Sequence, residues 1–78
     1  SMEENRIRKL RDETGMNRRE FSEHFGIPVR TIEEWEAGRR TPPDYLPRLI
    51  EYQIKYEKLI EEVNKRNEKE IEEKGEKV

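Results

Sequence analysis

The chain has 78 residues, 29% hydrophobic and 46% charged, enough for one small core with an extension and too little for several, so most helix faces must lie in water. A formal net charge of -2 does not point the chain as a whole to nucleic acid, and any such surface must come from local arrangement. The lack of cysteine excludes disulfides and thiolate metal sites, one histidine cannot make a zinc site, and no apolar run suits a membrane span or a signal peptide.

Ser1, ahead of Met2, reads as a remnant of an expression tag. From Glu3 to Glu13, Ile7 and Leu10 form a narrow apolar stripe among charges, which predicts a first helix ended by Gly15. The rest of the chain is organised around Met16 to Gly38. Asn17 stands at an N-cap with Glu20 three residues on, a capping box, and Met16 and Phe21 flank it as a hydrophobic staple. Phe21 and Phe25 share one face, and Gly26 ends this second helix. Ile27 plugs the turn, and Pro28 has φ pre-set for the start of a third helix, which buries Ile32 and Trp35 and stops at Gly38. Two short helices joined by a tight turn containing Gly form a helix-turn-helix pattern.

Arg39, Arg40, Thr41, Pro42 and Pro43 follow as a stiff basic loop. Asp44 is the expected cap of a long last helix, in which Pro47 is tolerable only in the first turn. Leu46, Leu49 and Ile50 are expected to close the core. Leu49, Tyr52, Tyr56, Leu59 and Val63 then recur at steps of three and four as a heptad-like seam, and a second row of Ile50, Ile54 and Ile60 widens the apolar face. After Val63 the residues are nearly all charged or polar apart from Ile71, which predicts a frayed helix or disorder. The expected division is a binding domain over residues 2–51, a helical extension over 52–64 and a charged tail over 65–78.

Catalysis finds little to work with. Adjacent acids such as Glu33 and Glu34, or Glu61 and Glu62, do not oppose one another across a cleft, and the chain is too small to build one. His24, between Phe21 and Phe25, reads as a solvated residue. There is no phosphate-cradling glycine loop, no metal-ligand cluster and no sign of a cofactor or small-molecule substrate.

The run Asn17-Arg-Arg-Glu-Phe-Ser, then Gly26-Ile27, Thr31-Ile32, Trp35-Glu36-Ala37-Gly38-Arg39-Arg40 and Pro42 resembles the lambda-repressor/Cro-like (XRE-type) DNA-binding domains, over roughly Ile7 to Ile54. Arg18 stands where that family often carries Gln, and Glu33 and Glu34 put acid into its recognition helix. The resemblance implies an all-α fold of four or five helices, with Ser22 kept small where helices approach. It also implies an ion pair between Arg11 and Glu36. The surface facing a duplex in such domains would here carry Asn17, Arg18 and Arg19 at the start of the second helix, Val29, Arg30, Thr31 and Glu33 on the helix at residues 28–37, and Arg39 and Arg40 after it.

Arg18 and Arg19 would meet phosphate beside a helix N-terminus. Arg30 could read guanine, Val29 touch a thymine methyl and Glu33 accept from cytosine. Simple solvation is the alternative for Glu33. Glu34, four residues from Arg30, would either order that arginine or compete with the base. The implied activity is cytoplasmic transcriptional regulation, by repression without chemistry, on double-stranded DNA. A homodimer through the last helix would follow from Tyr52, Ile54, Tyr56, Leu59, Ile60 and Val63, which exceed what a small core can hide. The rival reading is a protein-interaction module on the same fold that does not bind DNA.

Overall fold

In the computed structural model residues 5–76 are described, and they form four helices: α1 (Arg6–Thr14), α2 (Arg18–Phe25), α3 (Val29–Glu36) and α4 (Tyr45–Glu76). The first starts directly after Asn5. Asn5 is extended, at φ -71 and ψ 112, and its side chain accepts from the Arg8 N–H, so it caps the helix; the expected start at Glu3 lies outside the described residues. The Asn5 Nδ2 also donates to the carbonyls of Trp35, at 2.8 Å, and Glu36, at 3.1 Å, which ties the start of α1 to the end of α3.

The capping box on α2 is complete. Asn17 Oδ1 accepts from the Glu20 N–H at 2.8 Å, and Glu20 Oε1 accepts from the Asn17 N–H at 2.9 Å. Gly26 leaves α2 at φ 70, a left-handed conformation that costs glycine little, and the N–H groups of Gly26 and Ile27 both donate to the Ser22 carbonyl. Pro28 precedes α3 as its N-cap, at ψ 138, instead of opening the helix, so α3 covers 29–36 within the expected 28–37. Gly38, at φ 77, turns the chain out of it.

Ile7 and Leu10 from α1, Phe21 from α2, Ile32 from α3, and Ile50 and Ile54 from α4 make the buried core. Met16, Phe25, Ile27, Trp35 and Leu46 pack around it. α4 lies against α1, while α3 lies against both α1 and α2. Two expectations for α4 are corrected. Leu49 is 50% exposed instead of closing the core, and Ile54 is buried instead of widening the outer face. Leu46, Ile50 and Ile54 are successive i+4 neighbours and so line the face that meets α1, from which Leu49 is rotated away.

Beyond the core α4 runs on as one helix to Glu76. No proline interrupts it after Pro47, and i,i+4 pairs such as Lys65 with Glu61, at 3.2 Å, support its surface. The described side chains from Lys58 onward are exposed.

Candidate nucleic-acid interface

The expected site residues come from three places: the start of α2, the outer face of α3 and the loop after it. Beneath them lies a carboxylate that fastens two of the three. Glu36, at the end of α3 with its side chain 3% exposed, accepts from Arg11 Nε at 2.7 Å and Arg11 Nη2 at 2.9 Å, so the expected ion pair is present in forked form. Arg11 Nη1 also donates to the Met16 carbonyl at 3.2 Å.

Arg18, from the first turn of α2, adds a third hydrogen bond, Nε to Glu36 Oε1 at 3.1 Å. Burial alone would push the Glu36 carboxyl up, but hydrogen bonds and charge from Arg11 and Arg18 outweigh it and hold the group below its ordinary value. The hydrogen bond to Glu36 is the largest influence raising Arg11. Arg18 is therefore engaged through Nε while its side chain stays 49% exposed, and a guanidinium with five donors still has others to offer a second anion.

On α3, Ile32 is buried and Trp35 half-buried, which leaves Arg30 and Glu33, three apart, exposed on the opposite face. Val29 departs from expectation. It is half-buried, because it lies three residues before Ile32 and so leans to the inner side; Thr31, four before Trp35, is half-buried for the same reason. Only part of either side chain remains for an outside contact.

Arg30 has a side chain 92% exposed and a loose i,i+4 pair with Glu34 at 3.7 Å. Glu34 also pairs with Arg40, Nη1 to Oε2 at 3.5 Å, and its backbone carbonyl accepts from the N–H groups of Arg39 and Arg40. The acid in α3 thus pins the basic loop against the end of the helix. Asn17, Arg19, Arg39 and Arg40 are exposed.

Three of these links escape sequence reasoning: Arg18 to Glu36, Arg40 to Glu34, and a contact outside the site. His24, expected to be solvated, has Nε2 2.7 Å from Glu57 Oε1 on α4 and its ring edge-on to Phe25 at 4.8 Å. Hydrogen bonds from Gln53 Nε2 and then from His24 hold Glu57 below its ordinary value. The cap at Asn5 could have been read, since an Asn two residues before the first apolar position is a helix-start signal. Among the described residues no group of His, Cys, Asp and Glu could hold a metal ion.

Two helices joined across a glycine turn, the second packed on α1 and α2 with a charged face outward, define a helix-turn-helix protein. The chain belongs to the helix-turn-helix family of the XRE, lambda-repressor-like kind, whose family model matches residues 7–52. No curated protein and no solved structure matches it. The family is one of DNA-binding regulators. No helix among the described residues is long and apolar enough to cross a membrane.

Proposed function

We propose that this protein is a sequence-specific double-stranded DNA-binding regulator that represses transcription by occupying a promoter in the cytoplasm, without a cofactor. The observation that carries the reading is the outer face of α3. Arg30, loosely paired with Glu34, and Glu33 are exposed on a helix whose other side is held on the core by Ile32 and Trp35, and such a helix can enter a major groove without unfolding anything. Arg18, Arg19 and Asn17 would place the start of α2 on one phosphate, with Arg39 and Arg40 on another.

Residues 2–51 would form the binding domain, 52–64 the dimer contact, and 65–78 a dispensable tail. A gel-shift salt series on random duplex DNA tests the reading. The logarithm of affinity should fall with that of salt at about 0.9 per phosphate neutralised.

The rival reading, a protein-docking module, draws on a specific observation: Glu36 and Glu34 already partner Arg18, Arg30 and Arg40. Binding to no duplex at any salt concentration would favour it. Dimerisation is tested separately, by sedimentation of the intact protein beside Leu59→Asp. A monomer at high concentration for both removes the dimer.

A further inference from the structure

α4 has two apolar faces. One, with Leu46, Ile50 and Ile54, closes the core; the other, centred roughly 140° around the helix at 100° per residue, carries Tyr45, Leu49, Tyr52, Tyr56, Leu59 and Val63. These six are 37 to 63% exposed, and among the described residues they are six of the eight large hydrophobic side chains left in water. Their alternating steps of four and three make a coiled-coil seam. The seam is also symmetric along the helix: 45 and 63 lie equally far from 54, and so do 49 and 59, and 52 and 56.

A second copy laid antiparallel with the same centre therefore sets Tyr45 on the partner's Val63, Leu49 on the partner's Leu59, and Tyr52 on the partner's Tyr56, with no layer unfilled. The flanks decide between orientations. In an antiparallel pair the residues preceding 49, 56 and 63 meet their own kind across the seam, which puts Arg48 against the partner's Glu62, and by symmetry this happens twice.

On the other flank Leu46, which its own core buries only in part, meets the partner's Ile60, and this accounts for an isoleucine that stays 40% exposed on this chain alone. The one like-charge meeting, between the two Lys55 side chains, is eased by Glu51, which already holds Lys55 at 3.3 Å. A parallel pair would instead set Arg48 on Gln53, Lys55 on Ile60 and Glu62 on Asn67. No opposite charges would meet, and a lysine would cover the isoleucine.

We infer that α4 pairs with α4 of a second copy in antiparallel orientation, in the register centred on residue 54, with Arg48 and the partner's Glu62 selecting that orientation. The inference rests on the dimer reading above and adds its geometry. Because the core face lies far around α4 from the seam, the two helix-turn-helix domains would stand on opposite outer sides of the helix pair.

The chain has no cysteine, so single thiols report pairing directly. Leu49→Cys and Leu59→Cys are both at exposed positions, and each variant should keep the parent's helical circular dichroism. Mixed and oxidised in a glutathione buffer, they should give a disulfide between 49 and 59, while neither should link to itself. Self-linked Leu49→Cys and Leu59→Cys dimers would mean parallel helices and overturn the orientation while leaving a dimer. No disulfide in a protein that sediments as a monomer would overturn dimer and register together.

Arg48→Glu should weaken self-association roughly tenfold at low salt, by turning two attractive pairs repulsive, and adding Glu62→Arg in the same chain should restore it. Failure of that rescue in a stable dimer would also refute the register.

Discussion

Replacing Glu36 by Gln should destabilise the domain more than any other single polar change at the site. The carboxylate is 3% exposed and takes three hydrogen bonds, two from Arg11, whose side chain is 14% exposed, and one from the half-exposed Arg18. Breaking a buried ion pair from one side costs about 3–5 kcal/mol, because the remaining charge stays buried without its partner. Arg18 can return to water, which makes its share of this pair nearly free to lose. Arg11 keeps the Met16 carbonyl, so the expected loss is about 3 kcal/mol, set against roughly 4–12 kcal/mol for a chain of this length. The melting temperature should fall by roughly 12–24 °C.

The single tryptophan, Trp35, adjoins Glu36 and is half-buried, so its fluorescence in a urea titration reports the domain and not the distal part of α4. Arg11→Met and the double variant complete a cycle, and the double variant should be less destabilised than the sum of the singles. Acid provides an independent check. Glu36 is depressed in the folded state, so its contribution is complete above the unfolded carboxylate value of about 4.3 and is lost as pH falls from there through the folded value. The parent should lose stability over that range faster than Glu36→Gln. A loss below about 1 kcal/mol for Glu36→Gln, with no coupling to Arg11, would refute the view that this carboxylate locks α1, α2 and α3 together.

Arg19→Ala should weaken all duplexes alike and reduce the salt slope by about one unit, read by gel shift. Arg18→Ala should do the same and also lower the urea midpoint slightly, because it removes a hydrogen bond from Glu36; equal midpoints for the two variants would contradict that link. Arg30→Ala should cost about 1–3 kcal/mol on the preferred site and little on random DNA, with selectivity relaxed at one base pair, most readily a G·C. A uniform loss with the selected sequence unchanged would mean that α3 is not reading bases. Glu33→Ala should raise affinity for random DNA and loosen any preference for cytosine, as binding-site selection at fixed salt would record. Deleting the residues after Lys65 should leave the melting temperature nearly unchanged, since the described side chains there are exposed; a large drop would show that Ile71 has a docking place.

The local features of this fold are legible in the sequence. The capping box of Asn17 and Glu20, the glycine at 26 and the inward pair Ile32 and Trp35 each depend on residues within a few positions of one another, where backbone geometry leaves few choices. The ion pair of Arg11 with Glu36 spans the domain, and it was expected only because the surrounding residues resemble a family in which those positions meet.

Tertiary structure decided the rest. Periodicity groups residues into faces to within about one position, and how the helices cross then chooses which face is covered, so Ile54 went inside and Leu49 stayed out. Long charged side chains reach several ångströms, and their partners are whatever the packing brings near. Arg18 therefore found Glu36, Arg40 found Glu34, and His24 found Glu57 across a helix junction that sequence spacing cannot locate.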